Sequence, residues 1–267
     1  MRHITDVYRA LFSIRIAELL QYRVALVIWL IEVALGPIIS IVIWSAVARA
    51  RGGTVDGYTS ATFAAYFLIA MLVNYFTQTW VFWEFEWRVR EGTFSPLLLR
   101  PVHPIHGDIA QNIAYKLLML TVIIPVSILI AIVFHPVFHL TWLAAIAFVF
   151  ALLQAFVLRF AVEWALALLT FWSTRVDVLN QLYIVVLMLL SGQLVPLAFF
   201  PQPVQIAATV LPFRWMVAFP VELCLGSVAP GEILPGLAAQ SAWLLLSIII
   251  LIVMWRTGIR RYSAVGA

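Results

Sequence analysis

Arg159 and Glu163 stand four residues apart in FVLRFAVEWALALL, a stretch with no other charge. That spacing sets both side chains on one face of a helix. A charge within hydrocarbon costs at least ~2.5 kcal/mol, so an ionisable residue there is a functional suspect. The pair can be an internal ion pair that lets the long arginine snorkel. It can instead join Glu32, the glutamate of another apolar stretch, on a pathway wall or dimer interface where charge selects cargo. A proton relay would need more acids than one glutamate and a neutralised pair. His135 and His139 have a helical metal spacing, but Pro136 breaks the register and no third ligand is near, so no metal site is expected. His103 and His106 are expected at an aqueous interface. Cys224 is the only cysteine, which excludes an intrachain disulfide. No G-x-x-x-x-G-K-[ST] loop occurs, and the sole lysine, Lys116, follows Ala114-Tyr115 inside an apolar stretch. The chain is therefore expected to hold no nucleotide or other cofactor itself. A membrane-embedded enzyme would need a polar catalytic cluster, and Glu32, Arg159, Glu163, His103 and His106 have no spacing that makes one.

The elements that carry these residues follow from composition. The chain is 64% hydrophobic and 10% charged, with a mean hydropathy of +1.05, which excludes an ordinary soluble domain. Several apolar stretches reach the ~20 residues that a helix needs to cross a bilayer. The expectation is an all-α polytopic membrane protein, a single domain over 1–267. Its six spans are near 24–48, 61–82, 109–134, 141–172, 176–195 and 233–255. Residues 1–23 put Ile4, Val7, Tyr8, Leu11 and Phe12 on one face, as an interfacial helix would. With the N-terminus in the cytoplasm, twelve positive residues fall inside and only Arg49, Arg51 and Arg214 outside, so both termini are expected to be cytoplasmic. Trp80, Trp83, Trp142, Trp172 and Trp255 suit an interfacial belt. The basic balance, net +4, fits this topology and anionic lipid rather than nucleic acid.

Two segments interrupt the spans. In 83–107, WEFEWRVREGTFSPLLLRPVHPIHG, Glu84 and Arg88 sit at i,i+4, and Gly92 can end the preceding helix. Ser95 is placed to cap a new helix with Pro96 at its first position. Leu97, Leu98 and Leu99 follow, and Arg100-Pro101 stops it. A helix of about two turns is too short to stand alone, so its leucines need a surface to dock on, either a partner or the bilayer. The segment 196–230 is apolar but punctuated by Pro196, Pro201, Pro203, Pro212 and Pro220. These prevent a continuous helix. Two short broken helices dipping in from the outer surface are expected, or else a loop on the headgroups.

Taken in order, EGTFSPLLLRPVHPIH, SGQLVPLAFFPQPVQ and LPFRWMVAFPVELCLG make the chain resemble an ABC-2-type permease, of the short six-span kind. The resemblance covers nearly the whole chain. It implies that Gly92, Ser95, Pro96, Leu97, Leu98, Leu99, Arg100 and Pro101 form a cytoplasmic coupling helix docked on a separate ATPase subunit, which binds ATP and magnesium. It implies that the hairpin near 197–215, shaped by Pro196, Pro201, Pro203 and Pro212, closes an exit path. Two permease subunits, alike or unlike, would pair with two ATPases. The resemblance does not identify the cargo; the leading expectation is export of a hydrophobic or amphipathic compound. The other reading, an ATP-independent carrier using Glu32 and Arg159/Glu163, predicts an internal repeat, and the proline-broken hairpin occurs once.

Overall fold

Helix α1 is Arg23–Ala50, with Pro37 inside it. The computed structural model describes Tyr8, Phe12, Ser13 and residues 23–173 and 176–262, and leaves out the side chains of 23–30, 32 and 33. Apart from Tyr8, Phe12, Ser13 and Arg23, the expected interfacial helix 1–23 lies outside the described residues, as does the Glu32 side chain. A small hairpin follows, β1 (Thr54–Val55) against β2 (Tyr58–Thr59), antiparallel with Thr54 opposite Thr59. Its turn is Asp56-Gly57, both at positive φ, as a two-residue hairpin of this kind requires. Thr59 then accepts from the Thr62 amide at 3.2 Å and caps α2, Ser60–Thr77.

Helix α3 is Val81–Arg90, α4 is Ser95–Leu98 and α5 is Pro104–Phe134. Thr141 caps α6, Trp142–Leu168, which a 3-10 turn extends to Phe171. Helix α7 is Asp177–Leu190. A 3-10 turn at Leu197–Phe199 leads into the short helices α8 (Gln202–Val210), α9 (Phe213–Met216) and α10 (Ala218–Leu225). Helix α11, Pro230–Gly258, closes the fold.

The centre of the molecule is α6. Ala144, Ala147, Ala151 and Ala155 are buried at helical spacing, a small-residue stripe that lets a neighbouring backbone approach closely. Helix α11 packs along α6, and Gln240 donates to the Ala151 carbonyl at 2.9 Å and to the Trp215 carbonyl at 2.8 Å. Close approach recurs at Gly236, where an added Cβ would lie 2.4 Å from the Phe219 ring.

Four stretches are long and apolar enough to cross a membrane: Ser60–Arg90, Pro104–Phe134, Trp142–Phe171 and Pro230–Gly258. The expected first span falls on α1, of which Ala34–Ala50 is the described apolar part. The expected fifth span, 176–195, is longer than the helix found there. Helix α7 has 14 residues, about 21 Å, and Gly192 at φ 81° belongs to the turn that ends it. The structure thus carries an all-α polytopic architecture with four full-length apolar stretches among the described residues.

Candidate functional site

The second apolar stretch is broken: α2 stops at Thr77 and α3 starts at Val81. Residues 74–84 read NYFTQTWVFWE, with no proline or glycine to cause the break. Polar side chains fill it instead. Lys116 Nζ donates to the Gln78 carbonyl at 2.6 Å and to the Tyr75 carbonyl at 3.2 Å. The Thr79 hydroxyl donates to Glu163 Oε2. Arg159 Nε donates to Glu163 Oε1 at 2.8 Å, while its Nη1 reaches Asn74 Oδ1 at 2.8 Å and Thr77 Oγ1 at 3.2 Å. Tyr183 donates to Glu163 Oε1 at 3.2 Å, and Gln193 Nε2 to Asn74 Oδ1 at 2.8 Å. Five elements therefore meet at one buried polar junction: α2, the break, α5, α6 and α7 with its following turn.

Arg159 and Glu163 are both buried and bonded to each other, and each has further partners inside the same chain. Sequence reasoning paired these two and missed the rest of the junction. The available signals were the polar run Thr77-Gln78-Thr79 and a lone lysine in an apolar helix.

Beyond the break, Arg88 bonds Asp108 Oδ1 at 2.8 Å, and Trp164 Nε1 donates to Asp108 Oδ2 at 2.9 Å. The Glu84 carboxylate accepts from Gln111 Nε2 at 2.7 and 2.8 Å, and Arg88 Nε donates to the Glu84 carbonyl at 3.3 Å. Gly92, at φ 71°, turns the chain out of α3. Helix α4 has four residues, one turn rather than two. Ser95 does not cap it; Phe94 holds the cap position, and Ser95 Oγ lies 2.8 Å from the Tyr262 hydroxyl. Phe94 is fully buried against Phe85, Phe171 and Tyr262, with ring centroids 4.7, 5.8 and 5.4 Å away. Leu97 and Leu98 pack partly on the chain's own core. Leu99 alone of the three leucines stands out, 88% exposed, with Pro96, Arg100 and Pro101 exposed beside it. His103 is not simply at an aqueous surface: it accepts from the Ile105 amide at 3.2 Å, capping α5, and lies 4.3 Å from the Trp255 ring. Burial first and His106 second lower its pKa. Trp255, assigned to an interfacial belt by sequence, packs on Trp164 and His103, whereas Trp142 is exposed.

A family model described as ABC-2 family transporter protein matches residues 34–266. The chain belongs to the ABC-2 transporter family. No curated protein and no solved structure matches it. ABC-2 membership makes the chain a multi-pass membrane transport component, the permease part of an ABC transporter.

The match takes in the whole proline-rich region of this ABC-2 chain. Pro196, Pro201 and Pro212 precede the 3-10 turn, α8 and α9, and Pro203 lies in the first turn of α8, so the prolines start helices rather than interrupt them. The result is a run of short helices instead of two. Helix α8 is largely exposed, while α10 is buried against α6 and α2. Phe199 stacks on Trp44 at 5.5 Å and Phe63 at 5.8 Å, with Tyr58 at 5.3 Å. A cavity of about 160 Å³ lies among Leu197, Ala198, Gln205, Thr209, Arg214 and Glu222. Arg214 bridges Glu222 at 2.8 Å. Pockets for small molecules are ordinarily ~300 Å³ or more, so this space is too small for a sizeable cargo. Among the described residues no group of three His, Cys, Asp or Glu is arranged for a metal.

Proposed function

We propose that this chain is the membrane half of an ATP-driven exporter of a hydrophobic or amphipathic compound. In this reading two such subunits, alike or unlike, sit in a bacterial inner membrane with both termini cytoplasmic. A separate ABC ATPase subunit binds ATP and magnesium and docks on residues 92–101. Its nucleotide-driven movement reaches the membrane helices through α3 and α5, and the region near 197–215 closes the exit path. Lipid covers the remaining apolar faces.

One observation carries the reading: the segment 92–101 is fixed at its root and bare at its tip. Phe94 and Tyr262 anchor it, while Leu99 extends an apolar side chain beside Arg100. A large apolar group held outward on a tethered turn favours a protein partner, because contacts of this size concentrate their energy in a few central residues. The carrier reading gains no support from the family match.

The test is Leu99→Asp. Leu98→Asp would disturb the chain's own packing, since Leu98 lies against the core. Leu99→Asp should leave the protein inserted and cut recovery of the ATPase subunit in co-purification at least tenfold. Recovery equal to wild type would overturn docking at this segment.

A further inference from the structure

The break at 78–80 separates two rods that both pack on α6 but hold their polar partners through different residues. Helix α2 is fastened to α6 through Arg159, which bonds Asn74 and Thr77. Helix α3 bonds α5 through Glu84–Gln111 and Arg88–Asp108, and packs on α6 with the Phe85 and Trp164 rings 5.5 Å apart. In an uninterrupted helix the carbonyls of Tyr75 and Gln78 would accept from the amides of Thr79 and Phe82, four residues on. Lys116, the only lysine in the chain, gives its ammonium donors to both carbonyls instead. Its charge lies at the C-terminal end of α2, where the helix dipole favours a cation. The rings of Tyr75 and Phe156 lie 5.8 and 5.4 Å from Nζ, and the Tyr75 hydroxyl donates back to the Lys116 carbonyl at 2.9 Å. Gln78 itself is extended, at ψ 147°.

From this the geometry points to Lys116 as the residue that keeps the second apolar helix broken, making α3 and residues 91–101 an arm jointed at 78–80. Without those donors the two carbonyls would be buried unpaired, and the cheapest repair is for the helix to close over 78–80. What the arm carries rests on the function proposed above; the joint itself does not.

The full chain, in a Cys224→Ser background with nitroxides at 61 and 87, is placed in lipid nanodiscs and diluted with unlabelled chain. Pulsed electron resonance then reads the distance within one chain. A continuous helix would separate these positions by about 39 Å. Lys116→Met should shift the distribution from its wild-type position to that spacing, and Lys116→Arg, which keeps cationic donors, should retain the wild-type one. Lys116→Met removes a buried cation and leaves Arg159 and Glu163 paired, so the chain should assemble. Should it fail to, Lys116→Gln, too short to reach both carbonyls, is measured instead with the same expected shift. A distribution superimposable on wild type in the substituted chain would overturn the proposal. Loss of ATPase docking with an unchanged distance would count against the joint and leave the docking reading standing.

Discussion

Removing Arg159 strands Glu163 in a buried site, whereas removing both leaves only lost packing and hydrogen bonds. Breaking a buried pair from one side costs about 3–5 kcal/mol, and deleting the pair costs less. Thr79 and Tyr183 still donate to Glu163, so the lower end of that range applies. Unfolding in detergent should therefore rank Arg159→Ala below the Arg159→Ala/Glu163→Ala double variant, with wild type most stable. Additive losses would mean that the two residues act separately. The i,i+4 pair was legible from spacing alone. Its partners were not, because Asn74, Thr77 and Tyr183 reach it from other helices, and their convergence depends on how those helices cross.

At the scale of elements, caps and turns carry much of the definition. His103 caps α5 against Trp255, and burial lowers its pKa below the ordinary value of about 6.5. The folded chain thus holds the neutral form more strongly than the unfolded chain does. Stability is then full above pH ~6.5 and falls as pH drops from there towards the depressed folded value. His103→Gln should flatten that decline between pH 7 and pH 5 in thermal unfolding; an unchanged slope would assign it to another group. Apolar length revealed the long helices, since period and hydropathy report directly on α5, α6 and α11. The Asp56-Gly57 hairpin had a sequence signal that hydropathy masks. The break at 78–80 had none of the usual punctuation, because side chains from other elements cause it. The sequence predicts a helix of about two turns after Ser95 whose three leucines all need a surface to dock on. Phe94 turned the segment instead, burying itself and drawing Leu97 and Leu98 inward.

For the whole molecule, the fold is a set of apolar helices around α6, with a polar junction midway and a tethered turn, 92–101, at one end. Helix α7 is short, so the expected six crossings do not all map onto full-length helices; the turn at Gly192 and the short helices after it occupy the remaining length. Membership of the ABC-2 family fixes the class of transporter component. Its working account turns on whether the bare tip of 92–101 meets an ATPase. The direct measurement is photocrosslinking from position 99 in native membranes, using a benzophenone amino acid in place of Leu99. The account predicts a crosslinked product containing a soluble subunit with a nucleotide-binding P-loop, lost when the benzophenone is moved to exposed Trp142 near the start of α6. Crosslinks to lipid alone, or the same product from both positions, would contradict it.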